Sequence, residues 1–479
     1  MVVTAHWNGE TGDSRQSSTS SVYSGPSTTL NKIIWIEPYL KDNGFTDATP
    51  FSIAYDTGVA VSMSAWGNTN TGADASNYVV GYNITTGKQL YNITNPLWNN
   101  LFNDDLLICE TNTGNSITII AVRDIYTKYI FSGIDTLTGQ LVWSINTPLA
   151  AWIAGAGIGV PYQCNNGILV VSYEAGQGFS TPSIRTFDVS TGNSIANFTN
   201  IPLGGAVSII LDAEPTGTQA GIAIILVDLK DIIAVDLSTG TTLWSYTNRT
   251  TISPSSIIAS PDNQLLLIWD DSDAMKALPD KLWLLNSTTG KIVNQFHFPK
   301  NALVMNFNNN WAWKASSNTS NPNYGTLVFG GSLTNDAQNQ NEYGSIVAWD
   351  IVVNGDQIEA KLIANLDMTV GANGTIDPDG IIEYPNVGDR SVVMDANNYI
   401  YFTWLPTGYQ WNKGADDDAP IVDKTPTALA VGEINNGNIT ITASSTPIMN
   451  GPTGSQLAFI PMNNHLFVWN FTHIYMLSE

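Results

Sequence analysis

The chain of 479 residues carries 18 basic and 41 acidic side chains, a formal net charge of −23. So negative a surface repels phosphate backbones and anionic lipid, which argues against nucleic acid and acidic membranes as partners. Charged residues are only 12% of the sequence, about half the usual share, and Ser, Thr, Asn and Gly fill the gap, a composition for many short strands and tight turns.

From the N-terminus, residues 1–30 are polar, lack the apolar run of a signal peptide, and read as a flexible tail. No apolar stretch reaches the roughly 18 residues of a membrane span. The longest, residues 149–160, is loosened by Gly155, Gly157 and Gly159 and stopped by Pro161. The first predicted strand lies over residues 32–37, in LNKIIWIEP, and is an orphan strand.

Five segments then recur: YNITTGKQLY, IDTLTGQLVW, FDVSTGNSIA, VDLSTGTTLW and LNSTTGKIVN, with glycines Gly87, Gly139, Gly192, Gly240 and Gly290 at spacings of 52, 53, 48 and 50 residues. Each has an Asp or Asn four residues before the glycine, a Thr just before it, and an apolar residue three after it. That is hairpin chemistry: the Asx side chain bonds the turn backbone while glycine takes a positive φ. Weaker copies follow at Gly355 and Gly437, spaced 65 and 82 residues on, so loops are inserted there. In LNKIIWIEP, Asn31 stands in the glycine position and Trp35 falls four residues later, as Trp143 does after Gly139 and Trp244 after Gly240.

Two more apolar strands precede each hairpin, as in SIIASPDN then QLLLIWDD and VVMDANN then YIYFTW. Four strands per roughly fifty residues is a propeller blade. After Gly437 the chain supplies three last strands, SQLAFIPMNN, HLFVWNF and HIYMLSE, and the N-terminal strand has the pattern of the missing fourth. The expectation is an all-β, eight-bladed propeller of four-stranded blades, formed by residues 31–479 as a single domain after the 1–30 tail and closed by its N-terminal strand; seven blades is the alternative.

The D-x-x-T-G-x-x-x-W pattern resembles the repeat of the pyrroloquinoline-quinone-like propellers, which include the quinoprotein alcohol dehydrogenases and noncatalytic relatives. The resemblance covers residues 31–479 and implies the eight-bladed fold, with the tryptophan packed between blades. For the dehydrogenases it further implies a catalytic Asp, calcium, a tryptophan on the quinone, basic side chains on its carboxylates and often adjacent cysteines. This chain has no Cys-Cys pair and five arginines, Arg15, Arg123, Arg185, Arg249 and Arg390, so no residue carries over as catalytic.

Read on their own, Cys109 and Cys164 are two buried free thiols, with a single bridge as the alternative. His6, His297, His465 and His473 are dispersed, giving no zinc centre or Ser-His-Asp signal. Asp270, Asp271 and Asp273, Asp377 and Asp379, and Asp416 to Asp418 read as solvated loop acids; calcium held by two converging loops is the one cofactor this spacing leaves open. Trp311, Trp313 and Trp411 read as exposed stacking surfaces for a sugar or aromatic ligand, with core packing as the competing reading.

Long segments concentrate in second-to-third-strand loops and links between blades, at 66–76, 270–280, 300–310, 333–342, 365–389 and 406–426. Long loops on a rigid scaffold are where binding residues gather. The candidate ligand site is therefore Asp270, Asp273, Trp311, Asp377, Asp379, Tyr409, Trp411 and Asp416 on that face. Of the Asn-x-Ser/Thr sequons, Asn92, Asn197, Asn248, Asn318, Asn373 and Asn470 are glycosylation candidates, whereas Asn83 and Asn286 belong to the hairpins. Few lysines, many Ser, Thr and Asn, and these sequons suggest an extracellular or cell-surface protein. The reading is a noncatalytic scaffold binding protein or carbohydrate, with a quinoprotein-like oxidoreductase using pyrroloquinoline quinone and calcium as the alternative.

Overall fold

A computed structural model describes residues 24–30, 32–38, 45–48, 51–66, 76–111, 113–123, 128–148, 162–173, 183–199, 201, 206–211, 221–227, 231–247, 257–269, 281–297, 303–304, 311–314, 323–334, 342–354, 356–367, 392–404, 426–444, 448–449, 458–462, 464–469 and 473–479. Two compact units divide the chain, one over residues 42–257 with 286–291, the other over 258–285 and 292–479 with the N-terminal segment 17–41. Among the described residues no helix is long and apolar enough to cross a membrane. The one helical element among them is a 3-10 turn, Pro96–Trp98, whose first turn is capped by the Asn95 side chain.

The repeat builds the hairpin that its residues dictate. At Asp135 the backbone N–H donates to the Gln140 carbonyl at 2.8 Å and the Gly139 N–H returns to the Asp135 carbonyl at 2.8 Å. The Asp135 carboxylate accepts from the Thr138 N–H at 2.8 Å and the Thr138 hydroxyl at 2.7 Å. Gly139 closes the loop at φ 72°, which a side chain would strain. The same loop recurs at Asn83, Asp188, Asp236 and Asn286.

Each hairpin joins the last two strands of an antiparallel meander. Strands Phe102–Glu110, Ser116–Arg123, Lys128–Asp135 and Leu141–Pro148 form one four-stranded sheet in simple sequence order. Three more follow with the same order over 162–198, 206–247 and 257–297. The sheet at 45–94 has a fifth short strand, because Phe45–Ala48 and Ser52–Ala54 both pair with Val59–Trp66. A ten-stranded sheet over 303–449 resolves into two meanders whose fourth strands, Gln357–Asp367 and Asn438–Ser444, touch by one parallel pairing at Asn365 and Asn438. Burial falls from first strand to fourth: Ser52–Ala54 and Ile257–Ala259 are wholly buried, whereas Gln89–Thr94 buries one residue in six. Middle strands are covered on both faces, which is why IAIILV at Ile222–Val227 is a continuous apolar run rather than an alternating one.

The final sheet is ordered Lys32–Pro38, His473–Ser478, His465–Trp469, Ala458–Met462, so the N-terminal strand pairs antiparallel with the last strand of the chain. Its register matches a feature of every other fourth strand. In eight pairings between a third and a fourth strand, the register skips one residue of the fourth: Leu90, Val142, Ile195, Leu243, Val293, Ile363, Thr442 and Ile34. Such a bulge bends and twists an outer strand, which blunts its free edge against pairing with another chain. Ile34 therefore faces solvent at 41% exposure instead of being buried, and only Trp35 of that pair turns partly inward.

The expected flexible tail is corrected for residues 24–30. They pack within the second unit, with Leu30 buried and six of their backbone groups hydrogen-bonded. The rest of the tail and Asn31 lie outside the described residues.

Candidate functional site

The structure takes one residue of the expected ligand site away from solvent. Trp311 sits in the apolar core with 2% exposure, stacked on Trp349 at 6.5 Å and tilted against Phe329 at 4.7 Å. Its neighbour Trp313 is fully buried and donates to the Tyr324 carbonyl at 2.9 Å. Both lie on Trp311–Lys314, a first strand covered on two faces, so the stacking-surface reading is wrong for them. Asp270, Asp273, Asp377, Asp379, Tyr409, Trp411 and Asp416 lie outside the described residues, as do Asn248, Asn318, Asn373 and Asn470. Asn92 and Asn197 are exposed on fourth strands, while Asn83 and Asn286 spend their side-chain oxygens on hairpin N–H groups.

The recurrent aromatic residue joins neighbouring sheets. Trp143 donates from its indole N–H to the Val189 carbonyl at 2.6 Å, Trp244 to Ser287 at 2.7 Å, and Tyr91 through its hydroxyl to Thr136 at 2.9 Å. Each acceptor follows the Asx residue of the next hairpin. The rings also lie on that hairpin's glycine: a Cβ on Gly139 would come within 2.6 Å of Tyr91, and one on Gly290 within 2.5 Å of Trp244. Burial, with the Asp135 carboxylate beside it, holds the Tyr91 phenol well above its ordinary range. At Asp188 burial alone would raise the carboxyl, but the hydroxyls and N–H groups of Ser190 and Thr191 outweigh it and hold it low; Asp236 is held low in the same way by Ser238 and Thr239.

Cys109 and Cys164 form a disulfide, so the free-thiol reading is overturned. They sit on Phe102–Glu110 and Tyr162–Asn165, the first strands of two consecutive sheets, whose packing brings their Cα atoms to 6.1 Å.

One buried polar cluster escaped the sequence reading. Asp395, fully buried at the turn after Val393–Met394, accepts from the Asn397 N–H at 2.8 Å and the Tyr399 N–H at 2.9 Å through one oxygen. Its other oxygen accepts the Gly25 N–H at 2.9 Å and lies 3.1 Å from the Tyr401 hydroxyl, which is itself 3.0 Å from the Pro26 carbonyl. Lys314 donates to the Asp395 main-chain carbonyl. Burial pushes the Asp395 carboxyl above its usual range despite these donors and lowers the Lys314 amine to about 8 despite the nearby carboxylate. The Tyr401 hydroxyl carries one hydrogen and lies within reach of two acceptors, the Asp395 carboxylate and the Pro26 carbonyl. The segment VVMDANN had signalled only a turn, because nothing local marks a partner 370 residues away.

Searches by sequence find no matching family model and no matching curated protein. Solved structures do match. The quinohemoprotein alcohol dehydrogenase ADHIIG of Pseudomonas putida HK5 is similar over 99% of this chain and 80% of its own, at 10% identity and a TM-score of 0.52. The fold is a β-propeller. A europium-containing methanol dehydrogenase is similar over 98% of this chain and 89% of its own, at 10% identity and TM-score 0.51. The C-terminal WD40 domain of Sif2 is similar over 94% and 99%, at 10% identity and TM-score 0.53.

Among the described residues, the features that the sequence resemblance implies for the dehydrogenases are not brought together. The disulfide joins cysteines 55 residues apart rather than adjacent ones. Trp98, Trp143, Trp244, Trp311, Trp313 and Trp349 are buried in packing, while Trp35 and Trp283 are partly exposed. Among the described residues no group of three His, Cys, Asp or Glu side chains is placed to hold a metal ion.

Proposed function

We propose that this protein is a noncatalytic, eight-bladed propeller, closed through its N-terminal strand, that works outside the cell or on the cell surface as a rigid scaffold. Its long-loop face, carrying Asp270, Asp273, Asp377, Asp379, Tyr409, Trp411 and Asp416, binds a protein or carbohydrate ligand, with calcium as a possible bridge between its acidic loops. The observation that carries this reading is where the repeated polar and aromatic side chains are spent. Asp135, Asp188 and Asp236 are consumed by hairpin N–H groups, and Tyr91, Trp143 and Trp244 by the seams between sheets. A fold whose recurrent chemistry is all structural serves to hold loops in place. Eight equivalent bulges, the eighth on the N-terminal strand, support the blade count and the closure. The disulfide supports an oxidising compartment, and exposed Asn92 and Asn197 on fourth strands support glycan attachment there.

The fold shared with a quinohemoprotein alcohol dehydrogenase and a methanol dehydrogenase favours the competing reading, an oxidoreductase using pyrroloquinoline quinone and calcium. Adding both to the purified protein and following dye reduction over a panel of alcohols and sugars separates the two. The expected result is no turnover, together with binding on a glycan or protein array that is lost when residues 406–426 are replaced by a short Gly-Ser turn. Sustained turnover, or binding that survives the replacement, overturns the proposal.

A further inference from the structure

Seven of the eight fourth strands reach their sheet through a short loop from the third strand. The strand Lys32–Pro38 cannot, since its partner His473–Ser478 lies at the other end of the sequence. Its own packing is also poor: Ile33, Ile34 and Ile36 are exposed at 53%, 41% and 47%. Trp35 touches Phe467 edge-on at 6.1 Å, but its indole N–H is buried with no hydrogen-bond partner among the described residues, where Trp143 and Trp244 each bond a carbonyl. Neither a covalent tether nor the usual seam bond holds this strand.

The segment just before it supplies the missing tether. In a covalent hairpin the acid ending the third strand accepts N–H and hydroxyl groups of the loop, as Asp236 does from the Ser238 N–H at 2.7 Å and the Ser238 hydroxyl at 2.6 Å. Glu479, which follows His473–Ser478, accepts from the Ser27 N–H at 2.8 Å, the Ser27 hydroxyl at 3.0 Å and the Thr28 N–H at 3.2 Å. An acid at the end of a third strand thus caps a Ser/Thr pair ahead of a fourth strand, with no peptide bond linking the two. The anchoring extends further. The Ser24 carbonyl accepts the Asn464 N–H at 2.7 Å, and the Ser27 carbonyl accepts the Thr442 hydroxyl at 3.0 Å. Gly25 passes so close over Tyr401 that a Cβ would lie 2.6 Å from its hydroxyl oxygen.

We propose that residues 24–30 are a strap that replaces, without covalent connection, the hairpin loop absent from the last sheet, and that the strap holds Lys32–Pro38 in place. Where the other sheets keep their outer strand through chain connectivity, this one keeps it through a dockable segment, so it is the sheet whose outer strand can be released and recaptured.

Hydrogen exchange read by mass spectrometry on the full-length chain tests this. Gly25→Ala is expected to accelerate exchange at residues 33–37 at least tenfold along with that of the strap amides, while the sheet at 102–148 keeps its rates. Tyr401→Phe and Glu479→Ala each remove strap bonds without adding bulk, and serve if Gly25→Ala fails to fold; each is expected to give a smaller acceleration in the same two segments. The proposal is overturned if the strap loses protection while residues 33–37 keep theirs, if no variant changes either segment, or if the wild-type strap exchanges as fast as a free peptide.

Discussion

The Trp143 indole N–H donates to the Val189 carbonyl of the next sheet at 2.6 Å, whereas Trp35, also one residue past a bulge, leaves its buried indole N–H unbonded among the described residues. The two tryptophans share a ring and a register position but differ by one hydrogen bond. Trp143→Phe keeps most of the packing and strands the Val189 carbonyl, so it is expected to cost about 1–3 kcal/mol. Trp35→Phe loses no such bond and is expected to cost less. Urea midpoints of the two variants, side by side, check this; equal losses would mean that the indole bonds contribute nothing.

Two glycines with positive φ separate backbone strain from close approach. Gly114, at φ 83°, has open space where a Cβ would point, and Gly139, at φ 72°, has the Tyr91 ring there. Gly114→Ala is expected to cost about 1–2 kcal/mol, the strain of a left-handed residue. Gly139→Ala adds displacement of a buried tyrosine and its bond to Thr136, and should lower the melting temperature distinctly further. Matching melting temperatures would show that the ring yields freely.

The Cys109–Cys164 bond spans 55 residues. Closing a loop of that length removes enough unfolded-state entropy to stabilise the fold by about 4 kcal/mol. The Cys109→Ser, Cys164→Ser double variant is expected to melt well below the wild type, and a thiol titration of unfolded, unreduced wild type is expected to find no free thiol. Two titratable thiols would restore the free-cysteine reading.

Lys314, Asp188 and Asp236 shift stability with pH in the same sense, opposite to that of the raised Asp395 carboxyl. Lys314, lowered to about 8 by burial, carries fewer protons folded than unfolded as pH climbs from 8 toward the ordinary lysine range, so its penalty is present at pH 7 and relieved above 8. Asp188 and Asp236 have lowered carboxyl pKa values, so their stabilisation is present above the ordinary aspartate range and lost as pH falls through the lowered values. Lys314→Met should flatten the rise in melting temperature above pH 8, and Asp236→Asn should flatten the fall in acid. Variants that track the wild-type curve in these windows would exclude those groups as the cause.

The repeat was legible because it is local. An Asx residue, a Thr and a Gly within five positions bond one another, so the spacing of Gly87, Gly139, Gly192, Gly240 and Gly290 foretold the hairpins and the four-stranded sheets between them. Residues 32–37 likewise carried the pattern of a fourth strand, and Lys32–Pro38 pairs with His473–Ser478. Burial at single positions was less legible. Trp311 and Trp313 read equally well as exposed stacking surfaces or as core, and a first strand covered on both faces makes them core.

What the sequence by itself determined is the periodic part of this protein: its all-β class, its hairpin loops and the pairing of its two ends, each set by residues that interact within a few positions or by an orphan strand pattern. The tertiary structure alone decided the rest. Cys109 and Cys164 become partners because the first strands of consecutive sheets lie side by side, and Asp395 is buried under Gly25 and Pro26 because a strap from the far end of the chain crosses its turn. Such contacts depend on how distant elements converge, and an aspartate in an Asp-Ala-Asn-Asn turn looks the same in sequence whether water or a buried strap lies over it.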